Sequence, residues 1–309
     1  MKNNMKDKTL ADLFDFYPPE DKQDFFIAYL YLKHMDHFAY SALQTLGLPT
    51  AQPKNDPGSS VDDMLHAYIK QIAQVAVSRD TNIYHGKVMQ HCDARKLVIL
   101  NHEVRCEVPE KVVPFKIARD VVLANPLAIA VGACACRQNQ PHSCIPESEL
   151  EVCLIMGDPF ASFIAAHNPR FRKCSQEEAL RVLEKAHDRG DVHTAYFKKE
   201  MGGRLMAICN CCCMGMVMWN KLQGTVPYLA PSGYVAEVNG ECTACGACVD
   251  RCPFHALSLD TEDGTAPLVD FNKCMGCGVC QDSCPGGGIK LRKEPLKGEP
   301  LDLELIESK

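Results

Sequence analysis

Residues 242–253 read C-T-A-C-G-A-C-V-D-R-C-P and residues 274–285 read C-M-G-C-G-V-C-Q-D-S-C-P, the same pattern twice, 32 residues apart. The copies also share a Gly after the second Cys (Gly246, Gly278), an Asp two before the fourth (Asp250, Asp282) and the closing Pro (Pro253, Pro285). Three thiolates two residues apart in a tight turn can wrap three corners of one metal–sulfide cluster while the local amides point at its sulfides. The glycine lets the backbone come close. The fourth corner must come from elsewhere in the chain, so two such runs can interlock. A pair of zinc ribbons is the competing reading, but ribbons set two C-x2-C pairs apart instead of three cysteines in series followed by C-P.

This doubled run resembles the bacterial-type eight-iron ferredoxin, a 2[4Fe-4S] domain in which each C-x2-C-x2-C-x3-C-P segment gives three ligands to one cubane and its fourth Cys to the other. The resemblance implies that one cluster takes Cys242, Cys245, Cys248 and Cys284, and the other Cys274, Cys277, Cys280 and Cys252. Between the runs, Ala256–Leu259 and Pro267–Phe271 fit the short strands that flank such clusters.

A second cysteine set lies upstream: Cys134, Cys136, Cys144 and Cys153, then Cys209, Cys211, Cys212 and Cys213. The order C-x-C-R, C, V-C-L, I-C-N-C-C and then a dicluster run is similar to a family of larger iron–sulfur proteins of anaerobes, over about residues 128–290. That resemblance implies at least one additional iron–sulfur or other metal site using four of these thiols. The chain departs from the family pattern after Cys213, where Met214-Gly215-Met216 stands in place of further cysteines. Adjacent cysteines point in different directions, so one or two of Cys211, Cys212 and Cys213 are expected to be spectators. Buried free thiols acting as small hydrophobes are the competing reading for the set, and the expected one for the isolated Cys92, Cys106 and Cys174.

Other chemistry-bearing residues are fewer. Arg137, directly after Cys136, suits a donor to a cluster sulfide, a holder of an anionic substrate, or an ordinary ion-pair arginine. His34 and His37 sit at His-x-x-His spacing without further spaced ligands and read as a solvated helix face. Met214, Met216 and Met218 around Trp219 read as core packing near the site.

The elements that must position these residues follow from periodicity and punctuation. Asp21 to Leu46 carries apolar residues at helical spacing, stopped by Gly47 and Pro49, and predicts one or two helices. Pro53 to Ser60 is a linker, and Ser60 with Asp63 has capping-box form ahead of a helix ending near Arg79. Arg95 to Cys106 is β-branched and predicts one or two strands, and Pro109 to Ala124 predicts a helix. Leu127 to Val131 predicts a buried strand that delivers Cys134 and Cys136. Ser175 and Glu178 form a second capping box opening a helix with Leu180, Leu183, Ala186 and His187 on one face, closed by Gly190, with an extended segment from Val192 and His193.

The expected fold class is therefore α+β: a helical region over residues 1–90, a cysteine-rich α/β domain over 91–230 with an additional iron–sulfur site, a 2[4Fe-4S] ferredoxin domain over 231–292, and a charged tail over 293–309. For residues 1–90 a docking or dimerisation surface is the expectation.

Composition narrows the function classes. The chain has 309 residues, 33 Lys+Arg against 39 Asp+Glu, and 19 Cys, an odd number that cannot pair completely within one chain. The opening residues MKNNMKDKTLADLF lack an apolar signal region, so a cytoplasmic, reducing setting is expected, where cysteine at short fixed spacing means metal ligation more than disulfides. Residues 230–309 hold 7 Lys+Arg against 13 Asp+Glu, which is the whole of the net charge of −6. An acidic module of this kind argues against nucleic-acid binding and suits docking onto a basic redox partner. No Walker-type or dinucleotide-binding glycine loop and no C-x-x-C-H haem motif is present. The leading expectation is an electron-transfer protein that relays low-potential electrons between the C-terminal clusters, a middle-domain cluster and a redox partner oxidoreductase or electron donor, with a homo-oligomer compatible. The alternative is a reductase whose non-standard middle-domain cluster binds and reduces a small substrate. A weaker third reading gives the middle cysteines zinc or a labile cluster in a sensing role.

Overall fold

The computed structural model describes residues 2–45, 47–53, 58–77, 84–114, 120–141, 143, 145–198, 201–212, 229–259, 266–303 and 306. Helices α1 (Lys2–Asp15), α2 (Lys22–Lys33), α3 (Met35–Thr45) and α4 (Ser59–Val77) come first. The alternating middle region follows: β1 (Tyr84–Met89), α5 (His91–Ile99), β2 (Val104–Glu107), β3 (Asp120–Leu123), β4 (Ile129–Ala133), α6 (Ala135–Gln138), β5 (Glu151–Met156), α7 (Phe160–His167), β6 (Phe171–Cys174), α8 (Gln176–Arg189), β7 (Val192–Lys198), β8 (Arg204–Cys211) and β9 (Leu229–Ala230). The last module holds β10 (Tyr234–Val238), α9 (Ala247–Arg251), β11 (Leu257–Leu259), β12 (Pro267–Val269), α10 (Val279–Asp282) and β13 (Ile289–Lys293). The class is mixed α+β.

A seven-stranded sheet in the order β6-β4-β5-β8-β7-β1-β9 organises the middle region. All neighbours pair antiparallel except β1 with β9. Side chains alternate across a strand, so each strand serves two cores. Ala130, Ile155 and Tyr196 face a core shared with α1, α2, α7 and the C-terminal module, while Val131, Leu154 and Ala195 face a second core covered by α5 and α8. That burial on both faces explains why β7 is buried along its whole length, including Lys198. The N-terminal helices thus cover one face of the sheet: Leu13, Tyr17, Ala28 and Leu32 are among its buried residues.

Several sequence expectations meet the structure directly. The segment from Asp21 forms the two helices α2 and α3; the helix expected behind a Ser60 cap is α4, but it starts at Ser59, so Ser60 lies inside it and the Gly58 carbonyl accepts from Val61 and Asp62. In α8 the Ser175 hydroxyl accepts a hydrogen bond from the Glu178 amide at 3.1 Å, and Gly190 closes the helix in the left-handed region. The predicted strand after Leu127 is β4, running into Cys134. Two expectations are corrected. His91–Ile99 is a helix where a strand was expected from Arg95, because Ala94, Leu97 and Val98 at helical spacing bury against the second core and outweigh β propensity. The expected helix over Pro109–Ala124 is instead turns up to Pro114 and then β3, which pairs Leu123 with Val104 and Asp120 with Glu107 of β2. Pro114, inside the segment, denies it a continuous helical hydrogen-bond ladder. His34 and His37 also depart from the expected solvated face: His37 is buried and His34 half-buried, and the buried Asp36 between them is ion-paired to Arg170 at 3.3 Å.

The residues after Lys293 do not trail away. Leu301 and Leu303 insert into the second core of the middle region, Lys96 pairs with Asp302 at 2.5 Å, and the Glu299 amide donates to the Lys111 carbonyl. The C-terminal segment therefore staples the last module back to the sheet.

Candidate iron–sulfur centres

The C-terminal module is built as two interlocked halves. β10 pairs with β13, joining the two ends of the module, and β11 pairs with β12 between the two cysteine runs. Each cysteine run is a loop followed by a short helix, and the glycine after the second Cys is the left-handed residue that opens it: Gly246 before α9, Gly278 before α10. The 32-residue repeat extends to the backbone. Ala244 and Gly276 both take positive φ, 53° and 65°, as do His255 and Gly287, 49° and 65°. The amides of Ala256 and Gly288, again one repeat apart, donate to Cys252 Sγ at 3.3 Å and Cys284 Sγ at 3.2 Å. Further amides reach Cys242 Sγ from Ala244 and Cys274 Sγ from Ala236, each at 3.4 Å. Amides aimed at sulfur stabilise anionic thiolate and sulfide.

Between these loops lie two cavities. One is lined by Cys242, Cys245, Cys248 and Cys284; the other is lined by Cys252, Cys274, Cys277 and Cys280. In each, three cysteines come from one run and the fourth from the other. Approach is tight: a Cβ at Gly288 would meet Cys242 Cα at 2.5 Å, which explains a glycine there. Desolvation and the neighbouring Cys274 and Cys252 push the Cys280 thiol up to about 12, and burial pushes Cys277 far up as well. Burial raises Cys252 too, and buried thiols ionise together only beside compensating positive charge, which cluster iron supplies. The donor set and the amide pattern therefore fit a [4Fe-4S] cluster in each cavity.

Residues 241–288 match the family model of the 4Fe-4S dicluster domain. A search of curated proteins finds no match to the chain. The last module is thus a dicluster iron–sulfur domain, a class of module that exchanges single electrons with a partner. Among the described residues no helix is long and apolar enough to cross a membrane.

In the middle region the sheet gathers cysteines that are distant in sequence. β5 and β8 pair so that Cys153 lies directly opposite Cys209, and Cys211, two residues along, shares their face. β4 ends beside them and hands over to Cys134 and Cys136 at the start of α6. Cys134 and Cys136 are electrostatic neighbours, as are Cys209, Cys153 and Cys211, and Cys136 also feels Cys211 and Cys153. Five of the predicted residues, Cys134, Cys136, Cys153, Cys209 and Cys211, thus form one thiol cluster. Cys212 stands apart, as the direction argument for adjacent cysteines expects, and takes a hydrogen bond from Arg137 Nε at 3.2 Å. Cys144 and Cys213, with Met214, Met216, Met218 and Trp219, lie outside the described residues. No disulfide forms among the described residues.

Arg137 is buried to 1% exposure. Its Nη2 donates to the Asn210 carbonyl and pairs with Asp191, each at 3.0 Å, and its Nη1 has no hydrogen-bond partner among the described residues. Burial works against the guanidinium charge, but Cys134 and Asp191 outweigh it and hold the pKa above the ordinary value. In return, the Cys136 hydrogen bond and the Arg137 charge hold the Cys134 thiol below the usual range despite its burial. Of the isolated cysteines, Cys106 and Cys174 pack against the second core while Cys92 is exposed.

One group escaped the sequence reading. His91 at the start of α5, His187 on α8 and His193 on β7 converge in space, although only His187 and His193 had been singled out, as helix-face and strand-start residues. Their spacing in sequence carries no metal signature, and a non-local register brought them together.

Proposed function

We propose that this chain is an iron–sulfur electron-transfer protein that relays electrons between its C-terminal module, a further centre in the middle region and a redox partner. In this reading Cys242, Cys245, Cys248 and Cys284 hold one [4Fe-4S] cluster, and Cys274, Cys277, Cys280 and Cys252 the other. The clusters supply one-electron storage at low potential. The observation that carries the reading is the pair of cavities, each lined by three thiols of one run and one of the other. The protein's own share is to exclude water, aim amides at sulfur, and hold the two sites in one rigid core. The middle cysteines Cys134, Cys136, Cys153, Cys209 and Cys211 provide the ligands for the further centre. Cys153 packs in the same core as Cys248, Cys274 and Cys280, and Cys209 and Cys211 lie against it, which supports a continuous path through one apolar layer. The acidic excess of residues 230–309 suits docking onto a basic partner.

A second reading, reduction of a small anionic substrate at the middle centre, rests on Arg137. A fully buried guanidinium with one unpartnered nitrogen, beside Cys134 and Cys212, is a donor set looking for an anion. Cluster sulfide fills that role in the relay reading; a substrate oxyanion fills it in the reductase reading.

Anaerobic iron and acid-labile sulfide per chain test the proposal first. About twelve iron or more is expected, eight for the module and the rest for the middle site. About eight iron with free middle thiols overturns the relay through the middle region, and fewer than eight overturns the dicluster assignment of the eight ligands.

A further inference from the structure

On the sheet face opposite the thiol cluster, β7 and β8 pair His193 with Asn210, the residue between Cys209 and Cys211. Asn210 Nδ2 donates to the Val152 carbonyl at 2.8 Å, which turns Oδ1 toward His193 Nδ1 at 2.6 Å. His193 Nδ1 therefore carries the proton, and Nε2 presents a lone pair. His91 Nε2 lies 3.1 Å from the Glu184 carboxylate, so it donates there, and its Nδ1 presents a lone pair too. These two lone-pair nitrogens, His91 Nδ1 and His193 Nε2, face each other at 3.1 Å. Two acceptors at that distance repel unless something positive sits between them.

His187 completes the group. It stacks on His91 with ring centroids 4.1 Å apart, and ligand atoms of the three imidazoles all lie within 4.8 Å of one another. We propose that His91, His187 and His193 bind a divalent first-row transition metal ion, zinc above all, at the junction of α5, α8 and β7. Imidazole suits such ions, and nitrogens around a tetrahedral ion with bonds of about 2.0–2.1 Å stand about 3.3 Å apart. The His91–His193 pair, at 3.1 Å, is close to that spacing; His187, stacked 22° from parallel on His91, has to turn as well as approach to point a nitrogen at the ion. Glu184 on His91 and Asn210 on His193 are the outer partners that fix each ring's tautomer and orientation, as carboxylates and carbonyls do behind metal-bound histidines. The site has a route to solvent, because the side chains of His91 and His187 are 17% and 27% exposed.

The position gives the ion a structural task. His187 Nε2 is 3.9 Å from Asp282 Oδ2 on α10 of the dicluster module, and the Arg189 carbonyl, at the end of α8, accepts from Arg251 Nη1 at 2.8 Å. An ion there fixes α8 against β7 and holds Asn210 of β8, between Cys209 and Cys211, in place.

Zinc ion itself is the probe. The full iron-loaded chain, stripped of loosely held metal with a chelator under anaerobic conditions, is titrated with zinc, and bound zinc is then measured with iron and by zinc-edge X-ray absorption. One zinc per chain is expected, with a nitrogen/oxygen shell at about 2.0–2.1 Å and no sulfur at about 2.3 Å. His187→Gln, half-exposed and outside both cores, should lose that zinc with iron and sulfide unchanged, as should His193→Gln; Glu184→Gln should weaken binding about 10- to 100-fold. Failure to take up zinc, a sulfur shell, or undiminished uptake by His187→Gln overturns the site. A sulfur shell would place zinc on the middle cysteines instead.

Discussion

The two cysteine-rich regions reach similar ends by opposite routes. In the dicluster module the ligands lie within two short runs, and one repeated local structure, loop, left-handed glycine, short helix, is used twice. In the middle region five thiols arrive from two strands and a helix start, with Cys153 and Cys209 brought opposite each other across 56 residues of sequence by strand register. A repeat-encoded site tolerates little local change but depends modestly on the rest of the fold. A register-encoded site is sensitive to anything that shifts a strand, since one residue of slip sends Cys209 and Cys211 to the opposite face.

The largest expected effect breaks the interlock. Cys284→Ser removes the one ligand that the second run gives the first cavity, so iron in the module should fall from about eight to about four and electron flow to a partner should drop at least 100-fold, read by iron content and reduction kinetics with an artificial acceptor. Unchanged iron would show that the halves do not exchange ligands. Next comes the middle region: Arg137→Met leaves Asp191 with Arg189 alone at 2.8 Å and should cost about 3 kcal/mol in chemical denaturation, while the visible spectrum of the two C-terminal clusters survives. Loss of those clusters as well would mean the regions fold as one unit.

A smaller effect sharpens the repeat itself. Gly276→Ala puts a Cβ 2.3 Å from the Tyr234 carbonyl oxygen at φ 65°, and should cost about 1–3 kcal/mol from backbone conformation alone, more with the clash. The reciprocal Ala244→Gly, at the matching position, should change stability by less than about 1 kcal/mol. Equal costs on thermal melting would show the halves to be less asymmetric than the packing indicates. The smallest effect is electrostatic: raising salt from 0.05 to about 0.5 M should slow electron transfer from the dicluster module to a basic partner several-fold, because exposed charges are screened, and leave transfer to a neutral acceptor unchanged.

How much of this was legible in the chain varies by region for a physical reason. The eight C-terminal cysteines, the glycines that open α9 and α10 and the Ser175–Gly190 helix are local signals, written within a dozen or so residues each. The strand leading to Cys134 was legible as an apolar run with no turn former inside it. The stretch from His91 to Ala124 was not, because β-branched side chains fit either element, and burial of Ala94, Leu97 and Val98 by distant strands decided for the helix. The acidic end looked like a solvated tail because its charges dominate its composition; Leu301 and Leu303 gave too short a signal to reveal that they fill a core.

The chain by itself determined that it carries two interlocking thiolate runs, because metal-ligand spacing is a property of neighbouring residues. It determined as well that a second cysteine set exists, but not its membership. Only the tertiary structure decided that Cys153 faces Cys209, that Arg137 is sealed beside Cys212, and that His91, His187 and His193 meet behind Asn210. Those meetings depend on strand order and register, which follow from burying both faces of one sheet at once and are written in no single segment.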